Sequence, residues 1–179
     1  MKINTSLSVI IRIILWLGLI FGGITWSILK DIGNENSLFY NFLFHVVTFI
    51  IGIIVMRFAF HAAAVGGKEL ARSGRDRNLP RLETNHLVTS GIYSYMRHPM
   101  LFGLLLIPFG VALLIGSPTF ITTVAPLEML FIVFMVLVFE EMECKRKFGS
   151  AYGVYAKLVP IVCFKKECLR VLFFSDLVG

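Results

Sequence analysis

Charge is scarce in this sequence. Asp, Glu, Lys and Arg make up 16% of its 179 residues and 57% are hydrophobic, where a soluble domain carries about 25% charge. The deficit excludes an ordinary soluble domain and implies an integral membrane protein before any span is located. Basic residues are nearly missing from one set of turns: only Lys30 lies there. Lys68, Arg72, Arg75, Arg77, Arg81 and Arg97 fall in one opposite segment, and Lys145, Arg146, Lys147, Lys157, Lys165, Lys166 and Arg170 in another. This asymmetry is the positive-inside bias of a multispanning chain, so the net charge of +6 does not indicate a nucleic-acid partner. Both termini are expected on the cytoplasmic side. Cysteine is limited to Cys144, Cys163 and Cys168, an odd count whose spacing fits no zinc site, and reduced, unpaired thiols are expected. No clean small-x-small cleavage site follows the first apolar run, which argues against a signal peptide.

What is abundant is long hydrophobic runs. Crossing ~30 Å of hydrocarbon takes ~20 helical residues, and four runs come near that length: about 7–29, 38–65, 100–116 and 119–139. The expected fold is therefore an all-α membrane protein, a single membrane domain over 1–179. KDIGNENS (Lys30–Ser37) reads as a short turn between the first two spans, and the polar stretch from Gly66 to Asn85 as a cytoplasmic loop. Pro108 is expected to kink the third span. Ser117-Pro118 reads as a tight turn, with Ser as N-cap and Pro at the first helical position of the fourth span. Gly149 reads as a helix stop, and Phe164–Gly179 as an amphipathic interfacial segment.

The short turn makes the third and fourth spans a hairpin, so their open ends meet. Arg97-His98-Pro99 opens the third span and Glu140-Glu141 closes the fourth. A cationic pair and an anionic pair, distant in sequence, are thus expected to share one place near the cytoplasmic interface. Taken bare, such a cluster is equally consistent with a structural ion-pair network and with a functional site. Glu128 and His45 lie within spans; Glu128 is expected to pair with a backbone group freed by Pro126, and His45 to be a satisfied packing residue.

The wording of the C-terminal half narrows the choice. HLVTSGIYSYMRHP, a hydrophobic hairpin, FEE, and then KFGSAYGVYAKLVP resemble, in order and spacing, the isoprenylcysteine carboxyl methyltransferase family and the wider group of small membrane phospholipid and thiol methyltransferases. The resemblance covers about His86 to Pro160; the first two spans match only as hydrophobic helices. It implies an S-adenosylmethionine-dependent methyltransferase with a cytoplasmic cofactor pocket, acting on a lipophilic or lipidated acceptor among membrane lipids. Carried over by motif position, Asn85, His86, Leu87, Val88, Tyr93, His98, Pro99 and Glu140 would contact the cofactor, with Asn78 a looser match. Arg97, His98 and Glu141 would serve the chemistry, and no metal is implied.

Two positions depart from the pattern. Leu101 stands where the family has a tyrosine after RHP, and Val136 where the prenylcysteine enzymes have an arginine four residues before the first glutamate. The second departure weighs against carboxyl methylation of prenylcysteine and leaves a phospholipid amine or a thiol as alternative acceptors. A non-catalytic membrane scaffold is a further alternative. Membrane sterol reductases have a related-looking C-terminal region but are about twice as long in spans.

Overall fold

The computed structural model describes residues 5–34, 38–76 and 84–174. Among these every regular element is helical: α1 (Thr5–Ile32), α2 (Phe42–Ser73), α3 (Pro99–Ile115), a continuous run containing α4 (Ala125–Met135) and α5 (Glu141–Leu158), and α6 (Lys166–Phe174). Short 3-10 turns occupy Leu38–Tyr40 and Gly91–Ser94. Wider π turns, one at Phe120–Val124 and one at Val136–Glu140, lead into α4 and α5. Three stretches, Ile10–Ile32, Phe42–Ser73 and Phe120–Leu158, are long and apolar enough to cross a membrane, while the 17 residues of α3 form a shorter apolar helix. Their large side chains, such as Ile14, Phe21 and Leu130, are exposed. Exposed apolar surface on this scale is tolerated in lipid and not in water.

By packing, the chain forms two units, one of Met1–Arg57 with Leu106–Phe131, the other of Phe58–Leu105 with Ile132–Gly179. In the first, Ala112, Phe120 and Ala125 form a core against Ile24 and Phe109. Ser117 caps the following helix as expected, its Oγ accepting the Phe120 N–H at 3.1 Å, a contribution of about 1 kcal/mol. Asp31, buried at the end of α1, accepts hydrogen bonds from the hydroxyls of Ser117 and Thr119. It thus places a negative charge where a helix begins, the end that favours it. His45 is satisfied, its Nε2 2.5 Å from the Phe39 carbonyl oxygen. Glu128 is not: both carboxyl oxygens are buried without a hydrogen-bond partner. The expected pairing with a backbone group freed by Pro126 is therefore not made.

In the second unit, Ala62, Val88, Ile92, Tyr93, Met96, Cys163, Cys168 and Leu172 form the core. Two expectations are corrected here. The polar loop does not begin at Gly66, because α2 continues to Ser73. A side chain at Gly66 would meet Met100 Cγ at 2.7 Å, so the glycine serves close helix packing instead of ending the helix. Gly149 interrupts the helix as expected, with non-helical angles (φ 56°, ψ −132°), and a second helical stretch follows it to Leu158. Cys163 and Cys168, expected to be unpaired, are joined by a disulfide. The turn between α5 and α6 sets their Cα atoms 6.0 Å apart, within the normal range for such a bond. The C-terminal segment is helical as α6, and its Leu172 and Cys168 are buried in this core.

Candidate active site

The site grows from the turn that precedes α3. Gly91 sits at φ +57°, and a side chain there would lie 2.9 Å from the Glu69 carboxyl carbon. Both the left-handed conformation and the close approach require glycine. Ser90 adds a hydrogen bond to Glu69 Oε1 at 3.1 Å. The next residues, Ile92, Tyr93 and Met96, are buried in the core and fix the direction of Arg97 and His98. The backbone N–H groups of Arg97 and His98 donate to the carbonyls of Pro160 and Ile161 at 2.9 and 3.1 Å. The segment after α5 thereby holds the arginine–histidine pair.

The two ends of the predicted hairpin meet. Arg97 Nη1 donates to Glu141 Oε2 at 2.8 Å, and His98 Nε2 lies 2.8 Å from Glu141 Oε1. The Tyr152 hydroxyl donates to the same Oε1 at 2.7 Å. The side chains of Arg97 and His98 are each 10% exposed and that of Glu141 8%. Glu140 differs: its side chain is 44% exposed, and it approaches His98 Nδ1 at 3.4 Å. A helical residue turns about 100° from its neighbour, so Glu141 faces inward while Glu140 stays at the rim. The π turn immediately before them is a local irregularity of the kind found at functional sites. The Arg97 guanidinium also lies 5.9 Å from the centre of the Tyr152 ring, in cation–π range.

A carboxylate lies beside each ring nitrogen of His98, an arrangement that favours the imidazolium. Burial opposes that charge, but the hydrogen bonds and fields of Glu140 and Glu141 outweigh it and raise the His98 pKa. Two cations and two anions thus make a charge-balanced quartet. One donor is left over: Arg97 Nε is buried with no hydrogen-bond partner.

The other residues named from the sequence are distributed as follows. Asn85 and His86 are exposed and form their own cluster with Asp76: His86 Nε2 lies 3.0 Å from Asp76 Oδ1, and Asn85 Nδ2 donates to Oδ2. These bonds, His86 first, hold the Asp76 carboxyl below its ordinary range. Leu87 is half-buried and Val88 is in the core. Tyr93 is also a core residue, its hydroxyl 3.4 Å from the Gly66 carbonyl oxygen, and burial pushes its phenol well above the usual range. Pro99 is fully buried at the first position of α3. Asn78 lies outside the described residues. The sequence reading gave no role to Tyr152 or to Tyr155, whose hydroxyl donates to the Tyr93 carbonyl at 2.6 Å. Their signal was present as the Y-x-x-Y spacing, which puts two tyrosines on one helix face.

These features define a multispanning membrane protein with a buried, charge-balanced cluster of two cations and two carboxylates. A family model described as phospholipid methyltransferase matches residues 44–151, more than half of the chain, and the chain belongs to that family. The matched region contains the whole quartet and ends one residue before Tyr152. No curated protein and no solved structure matches the chain. The chain is accordingly an integral-membrane methyltransferase of the phospholipid and isoprenylcysteine type.

Proposed function

We propose that the chain transfers a methyl group from S-adenosylmethionine to a lipid-borne acceptor, with a phospholipid amine headgroup as the acceptor. The observation that carries the reading is the unused polar capacity of an otherwise satisfied cluster. Arg97 Nε is a buried donor without a partner, and Glu140 is a carboxylate on the exposed rim. The cofactor is a zwitterion with a carboxylate and an ammonium, so an unpaired cationic donor and an accessible carboxylate fit it chemically. In this reading Arg97 and Glu140 hold those two groups, and Asn85, His86, Leu87, Val88, Tyr93 and Pro99 bound the rest of the cofactor. When bound, S-adenosylmethionine supplies an already activated methyl group.

The chain's own residues then have limited tasks: to position and to exclude water. Glu141, committed to Arg97 Nη1 and His98, acts as a positioning residue that orients Arg97 and leaves its Nε for the cofactor. His98 has a carboxylate beside each ring nitrogen, so as the imidazolium it carries no lone pair with which to take a proton. An amine acceptor must lose a proton, and with Glu140 on the cofactor's ammonium the quartet offers no open base, so the amine enters the reaction deprotonated. The amine acceptor is favoured by the family description and by Val136, which leaves no arginine at the position where a prenylcysteine carboxylate would be paired. The concentration of basic residues in the segments around the site supports a cytoplasmic location for the site and for both termini.

The test is a radiolabelled methyl-transfer assay on membranes containing the chain. Label is expected in the organic-extractable lipid fraction, as a methylated amine headgroup, and is expected to be lost with Glu140→Gln. Absence of transfer from membranes in which the chain is folded overturns the proposal.

A further inference from the structure

The first unit holds a second feature that methyl transfer does not use. Between α1 and the helix of Phe120–Met135 lies a cleft of about 450 Å³, lined by Leu19, Gly22, Trp26, Val124, Leu127 and, among further residues, Glu128. That volume is in the range of small-molecule sites, about 300–1,000 Å³. Its walls are almost wholly apolar, Thr123 and Glu128 being the exceptions. Glu128 is 3% exposed, and neither of its carboxyl oxygens has a hydrogen-bond partner. At 1.5 Å per helical residue it lies about 15 Å along the helix from Pro118, close to half of a ~30 Å hydrocarbon layer.

A carboxyl group held in hydrocarbon without a partner is costly, and such groups mark sites of function. Its surroundings in the cleft are built around it. A side chain at Gly23 would meet Val124 Cγ1 at 2.5 Å and Glu128 Oε1 at 3.3 Å, so glycine is what lets α1 pack against this helix and the carboxyl. Gly22 is different: a side chain there meets nothing within 4 Å, because it points into open space where the cleft lies.

We infer that this cleft binds a membrane-embedded lipophile, a long apolar chain carrying one O–H or N–H group, which donates to Glu128. The apolar walls take the chain. The carboxyl group keeps an acceptor oxygen in either protonation state, so an O–H or N–H on the occupant finds a partner there. The depth of Glu128 selects a molecule whose polar group can leave the interface, such as a long-chain alcohol, over a phospholipid whose charged head is anchored there.

The experiment uses the full chain in phosphatidylcholine vesicles, with Trp16→Phe so that Trp26, on the cleft wall, is the fluorophore that reports. A brominated long-chain alcohol and its methyl ether are compared as quenchers; the ether has the same chain but no donor. The alcohol is expected to quench saturably at a mole fraction about tenfold or more below that needed for the ether, the effect of one hydrogen bond to a carboxyl group. Glu128→Leu is expected to bring the alcohol to the ether's curve, and Gly22→Leu, whose Cβ enters open space at the cleft, to remove saturable quenching by both. Identical curves for alcohol and ether in the parent protein overturn the inference, and that comparison stands even if a variant fails to fold. A preference for the alcohol that survives Glu128→Leu also overturns it. So does a Gly22→Cys variant that forms disulfide-linked dimers in the vesicle, which would assign the cleft to a second copy of the chain.

Discussion

Replacing Glu141 with glutamine isolates the charge at the centre of the quartet. Glutamine keeps the shape and an oxygen for the Tyr152 hydroxyl, so the change removes charge while leaving that acceptor in place. Two buried cationic side chains, Arg97 and His98, each contact Glu141 at 2.8 Å. Removing one partner of a buried ion pair costs about 3–5 kcal/mol, because the remaining charge is left uncompensated. Glu140 provides the internal control. Its contact to His98 is longer, 3.4 Å, and its side chain is 44% exposed, so Glu140→Gln is expected to cost about 0–1 kcal/mol in stability. Unfolding free energies measured by detergent titration in mixed micelles, followed by far-ultraviolet circular dichroism, compare the two directly. A double-mutant cycle with Arg97→Gln should show coupling of about 0.5–3 kcal/mol for residues in contact. If Glu141→Gln costs no more than Glu140→Gln, or if the cycle shows no coupling, the reasoning from burial and geometry is wrong.

Further outcomes follow from the same contacts. His98 has a pKa raised above its ordinary 6.5, so its charged contribution is full below that value and is lost as pH rises through the raised folded-state pKa. Unfolding free energy should therefore decline on the alkaline side, and His98→Gln should flatten that decline. Tyr152→Phe removes a donor from a buried carboxylate and should destabilise by about 1–3 kcal/mol, measured by the same titration; no change would place the Tyr152 hydroxyl outside the network. Asp31→Leu leaves the hydroxyls of Ser117 and Thr119 without their acceptor in the first unit and should also cost about 1–3 kcal/mol. A neutral result would mean that water replaces the carboxylate there.

The parts of this architecture that could be read in the sequence are those governed by short-range rules. Hydrophobic runs of span length announce themselves by composition, Ser117-Pro118 carries its own capping chemistry, and a short turn brings Arg97 and His98 to Glu140 and Glu141 whatever the detailed packing. The missed features depend on distant neighbours. Gly66 and Gly67 look like the start of a loop, but α2 continues through them because Gly66 packs against Met100. The π turn at Val136–Glu140 leaves no mark in residue type, and without it the division of Glu140 to the rim and Glu141 to the interior cannot be deduced. Tyr152 and Tyr155 were visible as a motif, but their partners, a carboxylate 11 residues earlier and a carbonyl 62 residues earlier, belong to the fold. The disulfide between Cys163 and Cys168 contradicts an expectation drawn from number and spacing alone, since pairing depends on the turn that brings the two together. Glu128 was noticed as an intramembrane acid, yet only the packing around it reveals that it has no partner.

The most direct measurement is equilibrium binding of S-adenosylmethionine to the purified, folded chain in detergent, comparing the parent protein with Glu140→Gln. The account expects saturable binding by the parent and a loss of about tenfold or more in affinity with Glu140→Gln, the effect of one charge-assisted hydrogen bond, while stability barely changes. No binding by the folded parent, or equal affinity in the two proteins, would contradict it.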